Sequence, residues 1–75
     1  MATVKVQGWR VGFNKVECTK MIRAATGLGL AEAKAITNAI VDGDIQLIHV
    51  SDATTAQKLA RDLLEIGANA SVDAA

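Results

Sequence analysis

Six glycines divide the chain into segments that differ in their hydrophobic period. The first and last segments alternate polar and apolar residues, as half-buried strands do, and residues 45–50 are rich in β-branched and apolar side chains. Three other segments repeat apolar residues at the spacing of an amphipathic helix. The resulting order is strand, helix, helix, strand, helix, strand. It predicts a two-layer α+β domain of the form βααβαβ, with a three-stranded sheet covered on one face by three helices.

Local signals set the ends of the predicted helices. Asn14 is a good N-cap for the first helix, and Glu17 follows three residues later, as in a capping box. Gly27 suits a left-handed cap at the end of that helix. Ser51 or Asp52 supplies the N-cap of the third helix, and the sequence leaves both open.

Each predicted helix has one apolar stripe that should face the sheet. The second helix begins at Gly29 and Leu30, and Leu28 and Leu30 are expected to be tucked into the core. The predicted inward stripes are Cys18, Met21, Ile22 and Ala25 on the first helix, Ala33, Ile36 and Ala39 or Ile40 on the second, and Ala56, Leu59, Ala60, Leu63 and Leu64 on the third. Another side of the first helix is expected to be more exposed, and it carries Val16, Thr19, Lys20 and Arg23.

Length and composition limit the class of protein. The 75 residues fit one domain, 1–75, and 51% of them are apolar with a single Trp and a single Phe, so the core must be aliphatic. One cysteine excludes an intramolecular disulfide. No apolar run has the length of a membrane span, and no signal-peptide pattern is present. These features favour the cytoplasm.

No set of residues has the spacing of a catalytic or metal centre. Nothing pairs Cys18 with His49 as nucleophile and base, and the two do not make a tetrahedral metal site. Cys18 is expected to be a buried apolar residue rather than a reactive thiol, and His49 a partly exposed strand residue. The glycine-rich segment 27–32 follows a helix, which favours a helix–helix turn over a dinucleotide site. We therefore expect no enzyme, no cofactor and no metal.

The charges are unevenly distributed although the net charge is zero. Residues 1–34 contain six Lys or Arg against two Glu, and residues 35–75 contain two against six Asp or Glu. Lys20 and Arg23 share one face of the first helix, and Lys34 can approach them once the second helix folds back. This pattern alone fits either a positive binding face or an ordinary solvated surface.

A series of short motifs is more specific. They are Asn14-Lys15-Val16, the step from Lys20 to Arg23, the run Ala25-Thr26-Gly27-Leu28-Gly29-Leu30, then Glu32-Ala33-Lys34, with Val50-Ser51, Leu63, Glu65 and Gly67-Ala68 further on. These motifs resemble the C-terminal domain of the bacterial ribosomal stalk protein, large-subunit protein seven/twelve. The resemblance extends over nearly the whole chain.

The resemblance implies both a fold and a partner. The fold would be βααβαβ, and the domain would recruit translational GTPases to the ribosome through its first two helices. The contact positions implied here are Val16, Lys20, Arg23 and Lys34, with Lys15 nearby. An apolar centre with a positive rim would speed the encounter with an acidic partner, and no direct contact with nucleic acid or membrane is expected.

Several departures from the family keep alternatives open. Glu17, Cys18 and Thr19 stand where the family usually has small or aliphatic residues, and Ala31 stands where it has Lys. No dimerisation domain or hinge precedes Met1, so a stand-alone protein is expected, with its oligomeric state open. The alternatives are a viral or accessory relative with a changed protein partner and a peptide-binding adaptor.

Overall fold

The structure is a computed structural model that describes residues 2–73, and its elements follow the predicted order. The strands are β1 (Ala2–Trp9), β2 (Gln46–Val50) and β3 (Ala68–Asp73). The helices are α1 (Lys15–Thr26), α2 (Leu30–Val41) and α3 (Ala53–Glu65). The α+β class and the order βααβαβ are therefore confirmed.

β1 is the central strand of the sheet and pairs antiparallel with β2 on one side and with β3 on the other. Val4 lies opposite Ile48 and Val72, and this row faces the helices. The neighbouring row, which contains Lys5 and Leu47, lies on the open face. The sequence left open which side of β2 is buried, and pairing with β1 decides it.

The core is aliphatic, as the composition predicted. Its largest fully buried apolar side chains are Val4, Val6, Ile22, Ile40, Ile48 and Leu63. Most of the predicted helical stripes lie in this core or pack against it, including the half-buried Met21, Ala25 and Ile36. Burial of each large aliphatic side chain stabilises the fold by about 1.5–3 kcal/mol, so these contacts hold the helices on the sheet.

Three burial predictions were wrong. Leu30 and Leu64 were expected in the core but are 55% and 42% exposed, whereas Thr19 was expected to be exposed and is only 8% exposed. Leu64 lies about 100° around α3 from Leu63, which places it on the flank of the buried stripe. Leu30 is the first residue of α2 and lies at its exposed start, and Thr19 is covered by α2, whose Thr37 it contacts.

The helix caps are largely as predicted. The Asn14 side chain accepts a hydrogen bond from the Glu17 N–H at 3.1 Å, but the Asn14 N–H donates to Ile66 rather than to Glu17. The N-terminal cap of α3 is Asp52, whose carboxylate accepts the Thr55 N–H at 2.7 Å. This hydrogen bond lowers the pKa of Asp52, because it favours the ionised carboxylate.

The loop after β1 binds the end of α3. β1 continues to Trp9, because a register irregularity between Val6 and Trp9 lets pairing with β3 resume. The Arg10 N–H donates to the Gly67 carbonyl at 2.7 Å. The Arg10 guanidinium donates to the carbonyl of Leu64 and, at 2.6 Å, to the Asn69 side chain. These bonds connect the β1–α1 loop to the α3–β3 turn.

The two aromatic residues, Trp9 and Phe13, differ in how they contact the rest of the domain. Phe13 is partly buried and packs against the core. Trp9 is 45% exposed, and its indole N–H donates to the carbonyl of Val41 at 3.0 Å. Trp9 therefore ties β1 to the end of α2 by a hydrogen bond.

Candidate protein-docking site

An open groove of about 380 Å³ lies between α1 and α2. Its walls come from both helices: Lys15, Val16, Thr19, Lys20 and Arg23 on α1, and Leu30, Lys34, Thr37 and Asn38 on α2. The structure thus brings together all five residues predicted to contact a partner. Their role in binding remains a prediction.

Helical spacing explains why these residues share one groove. Val16, Lys20 and Arg23 follow one another at steps of four and three residues, which places them on one side of α1. Leu30 and Lys34 are four residues apart on α2. The turn at Gly27, whose φ of +77° suits glycine, folds α2 back beside α1 so that the two rows face the same space.

Two buried threonines form the floor of the groove. The hydroxyl oxygens of Thr19 and Thr37 lie 2.9 Å apart. Thr19 donates to the Lys15 carbonyl at 3.0 Å, so the Thr37 hydroxyl is the donor between the two threonines, and the Ala33 carbonyl, 3.2 Å from the Thr37 hydroxyl oxygen, is its alternative acceptor. The pair joins α1 to α2 beneath the groove. Thr19 therefore packs between the helices and does not form part of the exposed rim.

Replacing Thr37 by valine is expected to lower the free energy of unfolding by about 1 kcal/mol, because it removes a buried hydrogen-bonding partner of Thr19 while preserving the side-chain shape. The double variant Thr19→Val/Thr37→Val is expected to be less destabilised than the sum of the two single variants. Urea unfolding of all four proteins gives the coupling energy. Strict additivity would contradict a direct interaction between the two hydroxyls.

The groove is electropositive with an apolar centre. Lys15, Lys20, Arg23 and Lys34 supply four positive charges, and no acidic residue is among those that line it. Val16 is 65% exposed and, with Leu30, provides the apolar surface. Just outside, the Glu17 carboxylate lies 3.9 Å from the Lys20 ammonium group. Glu17 thus offsets part of the charge at one rim position.

Sequence reasoning did not identify three groove residues. Leu30 was assigned to the core, and Thr37 and Asn38 were not considered. The sequence did contain a signal for two of them, since Leu30 lies four residues before Lys34 and Asn38 lies four residues after it. Extending the helical row from Lys34 in both directions would have found Leu30 and Asn38.

The other reactive side chains lie outside the groove. Cys18 is fully buried, as predicted, and burial raises the pKa of its thiol, which stays protonated at neutral pH. His49 is exposed on β2, and its Nδ1 lies 3.1 Å from the Thr3 hydroxyl. Within residues 2–73, no three His, Cys, Asp or Glu side chains are grouped to hold a metal, and no helix has the length and apolar character to cross a membrane.

Comparison with known proteins places the chain in a family. Residues 3–73 match the family model of the ribosomal protein L7/L12 C-terminal domain. The chain is similar to two proteins named large ribosomal subunit protein bL12. It is 44% identical to the one from Pseudoalteromonas translucida over 61 residues and 42% identical to the one from Dichelobacter nodosus over 59 residues.

These alignments cover most of this chain but only part of each relative. They span 81% and 79% of this chain, against 48% and 46% of the Pseudoalteromonas and Dichelobacter proteins. The chain therefore spans about half the length of the curated relatives that it matches. Because the family model covers nearly all of its residues, this chain belongs to the ribosomal protein L7/L12 C-terminal domain family.

Proposed function

We propose that this chain is a ribosome-associated docking domain that binds translational GTPases through the groove between α1 and α2. One observation carries the proposal: the residues lining the groove include four cations and two exposed apolar side chains, and none is acidic. A surface of this kind suits a small, acidic and partly apolar site on another protein.

Each part of the groove has a separate role in this proposal. Val16 and Leu30 cover an apolar side chain of the partner and remove its surface from water. Lys20, Arg23 and Lys34 lie around them and pair with carboxylates. Charges of this kind raise the association rate more than they lengthen the lifetime of the complex. The domain would therefore bind quickly and release quickly, as a recruiting element must.

The surroundings of the groove bear on the alternative functions. An adaptor that binds a peptide amine needs acidic groups, and the residues lining this groove carry the opposite charge. Among the departures from the family, Thr19 is buried and Ala31 does not line the groove. Among the departures from the family, Glu17 is then the main one that supports a relative with a changed partner. The positive charge of the groove and the positions of Thr19 and Ala31 favour the GTPase as partner.

The direct test is a titration of the ¹⁵N-labelled domain with a purified elongation factor, followed by NMR. Chemical-shift changes are expected at the groove residues of α1 and α2, with fast exchange. The open face of the sheet, including Lys5 and Leu47, is expected to be unaffected. If the elongation factor causes no change, or causes changes only on α3 and the sheet, the proposed function is wrong.

Removing a positive charge from the edge of the groove should weaken the binding of the elongation factor. The variants Lys20→Ala and Arg23→Ala are each expected to raise the dissociation constant about 3- to 10-fold, mainly through a lower association rate and with a weaker salt dependence. Lys58→Ala, which removes an exposed cation of α3, is the matched control and should change little. Equal weakening by Lys58→Ala would point to general electrostatic attraction instead of docking in the groove.

Glu17 provides a test of opposite sign. Because its carboxylate lies near Lys20, Glu17→Gln leaves the Lys20 charge without that local partner. It should strengthen binding to an acidic partner about 2-fold at low salt. The same measurement made at high salt should show no difference from the original domain.

A further inference from the structure

The outer edge of β3 is open for pairing. β3 lies at one end of the strand order β2-β1-β3, so only its inner edge is paired within residues 2–73. An edge strand exposes backbone N–H and C=O groups, and proteins usually protect such edges with lysine, proline or a bulge. The six residues of β3 include no lysine and no proline, its charged residue, Asp73, stands at the end of the strand, and the register irregularity of this sheet lies on β1.

A shelf formed by α3 runs beside this edge. The shelf and the edge enclose an open groove lined by Gln57, Ala60, Arg61, Leu64 and Glu65 of α3 and by Ala70, Ser71 and Val72 of β3. Leu64 lies on the flank of the buried stripe of α3 and is 42% exposed there. An added strand would place its inward side chains beneath Leu64 and remove that surface from water.

The shelf carries one positive and one negative side chain that are placed to pair with those of a second copy. Arg61 and Glu65 are exposed, lie one turn apart on α3 and form no ion pair within residues 2–73. A twofold axis perpendicular to the sheet reverses the direction of a strand and keeps the helices on the same face. Beside its own copy, α3 therefore runs in the opposite direction, so that Arg61 of each copy approaches Glu65 of the other.

We propose that a second copy of this chain adds its β3 antiparallel to β3, giving a six-stranded sheet with all helices on one face. The backbone groups of the edge supply the hydrogen bonds, and Leu64 packs on Ala70 and Val72 of the second copy. A second copy is favoured over an unrelated extended peptide because only a second copy also supplies the matching Arg61 and Glu65. The interface is small, so the dimer is transient.

This surface shares no residue with the groove between α1 and α2. Both surfaces can therefore be occupied at once, and the pairing of two copies would present two docking grooves. Failure of the dimer in an experiment leaves the proposed GTPase docking unaffected, and the reverse is also true.

Sedimentation velocity over a concentration series tests the proposal. The unchanged chain should show a reversible monomer–dimer equilibrium. Arg61→Glu or Glu65→Arg alone should weaken self-association about 10-fold, because each variant places like charges in contact. An equimolar mixture of the two variants should restore association, because the mixed pair regains opposite charges. Lys58→Glu on α3 makes the same change in net charge as Arg61→Glu and should leave association unchanged.

Amide hydrogen exchange at low and high protein concentration locates the interface. Amides of β3 should become more protected as the concentration rises, and those of β2 should not. A chain that stays monomeric, a dimer that neither charge variant weakens, or protection confined to β2 would each overturn the proposal.

Discussion

Replacing Gly67 by alanine is expected to lower the free energy of unfolding by about 2–4 kcal/mol. Gly67 has a φ of +102°, where a residue with a Cβ is strained. A Cβ at this position would also lie 2.9 Å from the Phe13 Cα and 3.1 Å from the Phe13 nitrogen. Both are backbone atoms, so no side-chain rotation relieves the clash.

Phe13 cannot move away easily, because the segments on either side are bonded together. Arg10 donates its N–H to the Gly67 carbonyl at 2.7 Å, and Asn14 donates to the Ile66 carbonyl at 3.0 Å. Relief of the clash would therefore break bonds between the β1–α1 loop and the α3–β3 turn. A domain of this length is stabilised by only about 4–11 kcal/mol in total, so the expected loss is a large part of it.

Gly12→Ala is the matched control for this experiment. Gly12 also has a positive φ, of +92°, but no atom lies within 4 Å of the position of its Cβ. The strain alone should cost about 1–2 kcal/mol. Urea unfolding of both variants separates the two effects, and equal losses would show that the contact with Phe13 is unimportant.

Leu63 and Leu64 are adjacent in sequence, but their replacement should have very different effects. Leu63 is fully buried, and Leu63→Ala is expected to destabilise the domain by about 2–5 kcal/mol through lost burial and the cavity left behind. Leu64 is 42% exposed, and Leu64→Ala should cost less than about 1 kcal/mol.

Thermal and urea unfolding at low protein concentration provide this comparison, because low concentration removes any contribution from self-association through Leu64. Each 1 kcal/mol should shift the midpoint of thermal unfolding by about 4–8 °C in a domain of this size. Similar losses for the two variants would mean that α3 is rotated about its axis relative to the structure described above.

Much of the fold could be predicted from local patterns. The periods of two and of 3.6 residues gave the order of strands and helices, and the polar side chain of Asn14 marked the start of α1 correctly. Glu17 fitted the capping-box pattern, yet the N–H of Asn14 binds Ile66 instead. The competing carbonyl comes from the end of α3, 52 positions along the chain, and no local motif contains it.

The docking groove was also partly predictable from local patterns. Val16, Lys20, Arg23 and Lys34 could be grouped by helical spacing and by family resemblance. Leu30 could not be assigned from its apolar character, because an apolar residue at the start of a helix serves equally well in a core or on a binding surface. The packing of α2 beside α1 places Leu30 at the groove and not in the core.

The sequence by itself determined the kinds of elements, their order, most of their ends and the family. Hydrophobic period and capping are local properties, so a few neighbouring residues are enough to specify them. The tertiary structure decided which of Leu63 and Leu64 is buried, that Thr19 lies between two helices, and that β2 and β3 are the edge strands of the sheet. Burial depends on the surfaces that distant segments bring to a residue, and those surfaces exist only once the chain has folded.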